Sequence, residues 1–168
     1  MKIFLIGFMG CGKSTMGKKL AGKLGYEFID LDHQIEQSIG TTIADYFSVH
    51  GEAAFRNLES ETLKTFDYPV NAVIATGGGT PCFFDNMEWM NASGLSVYIE
   101  MSAVALAKRL ESGKEKRPLL KNLNEPELIA FIENKLNERE VFYKRALLTV
   151  NGINLTADAM RAIILGRQ

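Results

Sequence analysis

Cysteine, proline and tryptophan are scarce in this 168-residue chain, which holds two, four and one of them. Cys11 and Cys82 cannot build a disulfide framework, and no metal-ligand spacing accompanies them. They read as free thiols of a reducing compartment, so a cytoplasmic protein is expected. Neither sign of charge predominates: the formal net charge is −1. No strong field therefore points to a nucleic-acid or membrane partner. No apolar run approaches the roughly 18 residues of a membrane span. The opening stretch from Met1 is broken by Gly7, Gly10 and Lys13 without a cleavage pattern, so no processed leader is expected. Repeats, low-complexity tracts and linkers are missing too.

What is present suits one globular unit. At 46% hydrophobic residues, a chain of this length can bury a core without covalent staples. We expect a single domain over 1–168. Short apolar runs, Ile3–Ile6, Ala72–Ala75 and Leu95–Ile99, read as buried strands, with Tyr26–Leu31 and Leu148–Val150 as two more. Between them lie helical patterns: Lys13–Leu24 closed by Gly25, Ile35–Phe47 and Glu52–Phe66 interrupted around Gly40 and Gly51, Ala103–Leu110, Glu125–Arg145 and Ala157–Leu165. Strand–helix alternation predicts an α/β fold with a parallel sheet wrapped on both faces. The polar, basic stretch over 112–122 reads as a mobile inserted lid.

The strongest motif is Gly7-Phe-Met-Gly-Cys-Gly-Lys13-Ser14, which fits G-x-x-x-x-G-K-[ST] between a strand and a helix. The chemistry accounts for each residue type. Glycines let backbone N–H groups converge on phosphate oxygens, and the helix that follows adds its positive dipole end. Lys13 reaches the β- and γ-phosphates, and the Ser14 hydroxyl can ligate Mg²⁺. Cys11 contributes its backbone. This loop specifies a nucleoside triphosphate, not what is done with it.

Asp30 and Asp32 stand two apart at the end of the second strand candidate, so both carboxylates should project at the sheet's carboxyl edge. One can hold the metal through water, and the other can orient or deprotonate a hydroxyl. Asp32 can equally cap a helix starting at His33. Arg56 and Arg139 suit bidentate capture of a carboxylate; each also suits a surface ion pair, and Glu59 stands at helical spacing from Arg56. Gly77-Gly78-Gly79 follows the third strand, either to bring backbone amides to a ligand or as a tight turn. Arg117, before Pro118 and the apolar pair Leu119-Leu120, is placed to swing a guanidinium over transferring phosphate.

The ordered set GFMGCGKST, FIDLD, FRNLES, TGGGT, RPLL and the ERxxxY stretch from Glu138 to Tyr143 resembles the shikimate kinases over roughly the first 146 residues. The resemblance implies a three-layer P-loop kinase fold of the nucleoside-monophosphate-kinase type, with a five-stranded parallel sheet flanked by helices and a mobile lid. It implies transfer of the γ-phosphate of ATP to the 3-hydroxyl of shikimate by a monomer needing Mg²⁺, with no nucleic-acid or membrane partner. On the matching positions, Gly10, Cys11, Gly12, Lys13, Ser14 and Thr15 would bind ATP, joined by Arg109 and Arg117. Ser14 and Asp30 would serve the metal. Asp32, Arg56, Gly78, Gly79 and Arg139 would bind shikimate. Lys13, Asp32 and Arg117 would be catalytic. The chain departs from the family after its last strand, where Val150-Asn-Gly-Ile-Asn-Leu155 lacks the usual basic residue and proline. It also lacks a strand ending in the acid of a Walker B motif, which leaves Asp30 as the expected carboxylate for the metal.

Overall fold

The three central strands are apolar almost throughout because both faces of the sheet are covered. The computed structural model describes residues 1–167. Among these, β1 (Lys2–Ile6), β2 (Glu27–Asp30), β3 (Ala72–Ala75), β4 (Leu95–Glu100) and β5 (Leu148–Asn151) form one sheet in the order β2-β3-β1-β4-β5. Every pairing is parallel, with Leu5 opposite Ala75 on one side and Val97 on the other. Ile3 to Ile6, Ala72 to Ala75 and Val97 to Ile99 are buried, as continuous apolar runs in a doubly covered sheet should be. Helices α1 (Lys13–Leu24), α2 (Leu31–Ile39), α3 (Ile43–Thr65), α4 (Asn86–Ser93), α5 (Ala103–Glu111), α6 (Glu125–Tyr143) and α7 (Ala157–Leu165) complete the three layers.

Local chemistry sets the ends of these helices. Gly25 closes α1 in the left-handed region, its N–H bonded to the Ala21 carbonyl. Asn124 and Glu127 form a reciprocal capping box at the start of α6. The interruption expected around Gly40 separates α2 from α3. The Glu36 carboxylate accepts the Ile43 N–H at 2.8 Å, and the Thr42 hydroxyl accepts that of Asp45, so α3 starts afresh after Gly40. The second expected interruption falls at Gly51, whose φ of 81° and ψ of 173° are non-helical, so α3 is two helical stretches joined at a kink. Between Gly79 and Leu95 the sequence carries no clear helix or strand pattern. A 3₁₀ turn at Thr80–Cys82 and the eight-residue α4 lie there. With only Met87 and Met90 as buried apolar positions, α4 leaves little periodic signal.

The strand order reverses at β1. The chain leaves β1 through α1 for β2 on one side, and leaves β3 for β4 on the other. Open α/β sheets bind ligands in the crevice at such a switch point, beyond the carboxyl ends of the strands. Here the loops facing that crevice are Gly7–Gly12 after β1 and the glycine triplet after β3.

Candidate active site

The loop after β1 is held open by three glycines with positive φ: Gly7 at 153°, Gly10 at 84° and Gly12 at 94°. Gly12 occupies the N-cap of α1, with no side chain bonded there and no acid in the first turn. The first N–H groups of α1 are left for an anion, and the helix dipole favours one. Lys13 is buried, and its ammonium donates to the carbonyls of Gly7 at 2.6 Å and Phe8 at 3.1 Å. Cys11 is buried as a small filler, and its carbonyl accepts from Arg109 Nη1 at 3.1 Å.

The two loops are tied directly. Thr76 donates from its hydroxyl to the Leu5 carbonyl at 2.9 Å. A β-carbon at Gly78 would lie 3.5 Å from the Met9 nitrogen and 3.2 Å from Arg139 Nη1. At Gly79 it would lie 2.6 Å from Arg56 Nη2, closer than real β-carbons approach anything. At Gly77 it would meet Glu59 Oε2 at 3.1 Å and Asp32 Oδ1 at 3.2 Å. None of the three has a positive φ. Freedom of φ is therefore not what requires glycine here; the triplet makes room for side chains packed against its backbone.

The acids stand differently from the strand-pair expectation. β2 ends at Asp30, and Asp32 lies in the first turn of α2. Asp30 itself is the helix cap, accepting the His33 N–H at 3.3 Å, so the capping alternative falls to Asp30 and not to Asp32. The other Asp30 oxygen accepts the Ser14 hydroxyl at 2.9 Å. Both carboxylates still line one cavity of about 470 Å³, together with Lys13, Ser14, Thr15, Arg109 and Arg117. Burial, with the nearby carboxylates of Asp30 and Glu59, pushes Asp32 up to about 6 against the pull of Lys13. An acid so perturbed, in a cleft among named charges, marks a candidate functional group.

A second cavity of about 280 Å³ opens beside the first and shares Met9, Asp32, Gly77 and Gly78 with it. Arg56 and Arg139 both line it, although 82 residues of sequence separate them and spacing alone gave no reason to pair them. Arg56 is buried and donates to Glu59 at 2.9 Å, the pairing their helical spacing suggested. Its guanidinium lies 4.3 Å from the Phe83 ring centroid, and that of Arg139 lies 5.6 Å from Phe8. Two cations supported on aromatic faces thus line a small cavity that Asp32 also borders. The aromatic supports, and the Thr80 hydroxyl that binds Glu59 Oε2 at 2.8 Å, carried no sequence signal.

On the other side of the phosphate loop, a cavity of about 710 Å³ runs between α1 and the start of α7. Arg109 lines both this cavity and the central one. Gly152 and Leu155, in the stretch where the chain departs from the motif pattern, and Thr156 just after it form the far wall. Lys23 and Asp158 pair at 3.0 Å. The segment over 112–122 contains a 3₁₀ turn at Lys114–Lys116, and Leu120 is buried while Leu119 is exposed. Leu120 fixes the end of the segment and leaves Arg117 at the central cavity.

A family model described as shikimate kinase matches residues 9–165. The chain belongs to the shikimate kinase family. A shikimate kinase of Parabacteroides distasonis is 45% identical over 158 residues, covering 94% of this chain and 91% of the relative. The crystal structure of shikimate kinase from Bacteroides thetaiotaomicron is 39% identical and superposes with a TM-score of 0.92 over 98% of both chains. That of shikimate kinase from Acinetobacter baumannii, solved in complex with shikimate, is 33% identical with a TM-score of 0.86, covering 99% of this chain and 94% of the other. The likeness read from six short motifs holds, and so does the three-layer P-loop kinase fold expected from it.

Proposed function

We propose that this protein transfers the γ-phosphoryl group of ATP to the 3-hydroxyl of shikimate, giving shikimate 3-phosphate and ADP on the route to chorismate and the aromatic amino acids. The observation that carries this reading is the shared wall of two cavities. Asp32 borders both the phosphate-loop cavity and the small cavity that Arg56 and Arg139 line. A ring carrying a carboxylate at one end and hydroxyls at the other matches that arrangement.

ATP lies along the cavity between α1 and α7 and the central cavity, its base beside Arg109 and its phosphates on residues 10–15. Lys13 exchanges the carbonyls of Gly7 and Phe8 for phosphate oxygens. Arg56 and Arg139 take the shikimate carboxylate as a pair of forks, while the backbone of Gly78 and Gly79 approaches the ring. Asp32 orients the 3-hydroxyl in line with the γ-phosphorus and receives its proton as the new bond forms. Arg117 comes in on the lid over 112–122 and balances charge on the transferring oxygens while the lid excludes competing water.

The hydroxyl of Ser14 and the carboxylate of Asp30, 2.9 Å apart, are the hard oxygen donors that Mg²⁺ prefers, and it commonly takes few protein ligands beside phosphate oxygens. Bound there, the ion would neutralise phosphate charge. We place the enzyme in the cytoplasm, in keeping with its free thiols Cys11 and Cys82, and propose that it acts as a monomer. Among the described residues, no helix is long and apolar enough to cross a membrane. An acceptor panel in a coupled ADP-release assay tests the proposal. Turnover with shikimate, and not with gluconate or a nucleoside monophosphate, is expected; the opposite pattern overturns it.

A further inference from the structure

Tyr143 closes α6 one turn after Arg139, and it is fully buried. Its ring lies 5.1 Å from that of Tyr98 on β4, which anchors it in the core. Its hydroxyl is not spent on the core. The phenol oxygen donates to the carbonyl of Gly78, 65 residues away, in the loop that walls the small cavity. Burial drives the phenol's ionisation well above its ordinary range, and the nearby Arg139 opposes that rise by charge and by hydrogen bonding.

These contacts form a bracket. Arg139 sits against Gly78, where a β-carbon would come within 3.2 Å of Nη1. The spacing between the arginine and the glycine backbone is thus set on one side by the missing side chain of Gly78 and on the other by Tyr143. A polar group placed in the core costs stability unless it is bonded, so a phenylalanine would serve packing at least as well. The hydroxyl needs a further reason, and its two neighbours supply one: both line the acceptor cavity, Arg139 lines no other cavity described above, and Gly78 stands where the acceptor cavity meets the central one.

We propose that Tyr143 is a positioning residue for acceptor recognition: its hydroxyl fixes the Gly78 backbone against Arg139, so that the carboxylate clamp is formed before shikimate arrives. This rests on the shikimate reading above. Tyr143 touches no reacting atom. Its removal therefore weakens acceptor binding and leaves the donor side and the transfer step unchanged.

The test is Tyr143→Phe, which deletes one oxygen and keeps the ring and its stack on Tyr98. Steady-state kinetics are measured with shikimate and with shikimate methyl ester, alongside the thermal unfolding of the ligand-free protein. The KM for shikimate is expected to rise about fivefold or more, as the loss of one buried hydrogen bond to a binding element implies. The KM for ATP and kcat should stay within about twofold, the range of a bond that the transfer step does not use. The preference for the acid over its ester should shrink, because the clamp that reads the charge is loosened. An unchanged KM and acid preference overturns the proposal. So does an equal loss with both acceptors, or a variant that fails to fold, either of which assigns the hydroxyl to stability. Wild-type turnover of shikimate, run in parallel, tests the function itself separately from the variant-to-wild-type ratio.

Discussion

Gly79 has no space for a β-carbon because the Arg56 guanidinium lies against it, with Nη2, Nη1 and Cζ at 2.6, 2.7 and 2.8 Å from where that carbon would stand. The guanidinium cannot step aside freely, since Glu59 holds it at 2.9 Å and Phe83 covers it. Gly79 has φ −93° and ψ −12°, which alanine adopts without strain. Gly79→Ala should therefore fold and displace Arg56. We expect the KM for shikimate to rise at least about tenfold, the scale of losing one charge-assisted contact. Steady-state kinetics with a melting curve will check this, and an unchanged KM would remove Arg56 from the acceptor site.

Asp32 carries a pH signature in both stability and activity. Its folded value of about 6 exceeds the ordinary 3.8, so the folded state favours the neutral acid. That contribution is complete below about pH 4 and is lost as pH rises through about 6, leaving a penalty on the order of 2–3 kcal/mol at neutral pH. Asp32→Asn should raise the Tm of the ligand-free protein by about 5 °C near pH 7.5 and leave it unchanged near pH 4. The same variant should lose most of kcat, and the acid limb of kcat/KM near pH 6 should vanish with it. A Tm that moves equally at both pH values would contradict the burial argument.

Ser14 and Asp30 should act together on the metal requirement. Ser14→Ala removes one of the two oxygen donors while leaving Asp30 to cap α2. The Mg²⁺ concentration giving half-maximal rate should rise several-fold, with saturating Mg²⁺ recovering much of the rate. Titration of activity against Mg²⁺ at fixed ATP measures this, and an unshifted midpoint would take Ser14 out of the metal site.

Lys13→Ala and Arg117→Ala should separate binding from transfer. Both cations line the cavity proposed for the phosphates, so kcat should fall by at least about a hundredfold for Lys13→Ala, the scale of one preorganised donor to transition-state charge. A smaller fall in kcat is expected for Arg117→Ala. Binding of shikimate alone, followed by calorimetry, should be unchanged in both, because neither residue lines the acceptor cavity. Weakened shikimate binding in Arg117→Ala would place that residue elsewhere.

Much of this architecture is legible in the chain itself. The apolar runs of β1, β3 and β4 and the glycine-rich loop before Lys13 are local signals, and local physics decides them. Asp30 and Asp32 stand out as candidates in the sequence, but strand spacing misplaces them, because Asp30 ends the strand by capping α2 and so puts Asp32 on a helix. The pairing of Arg56 with Arg139 is a property of the folded sheet and has no counterpart in sequence spacing. Neither has Phe83 beneath Arg56, nor the bond from Tyr143 to Gly78; a lone aromatic residue reads as core until its polar atom's partner is known. The glycine triplet is visible at once, yet its reason, room for the side chains of Asp32, Arg56, Glu59 and Arg139, emerges only in the folded chain.

The most direct measurement is ³¹P NMR of the protein turning over ATP and shikimate in the presence of Mg²⁺. Transfer to the 3-hydroxyl predicts one new phosphate-ester resonance coupled to the ring proton at C3, growing in step with ADP. Release of inorganic phosphate alone, or no change in the ATP signals, would contradict the assignment of this chain as a kinase acting on shikimate.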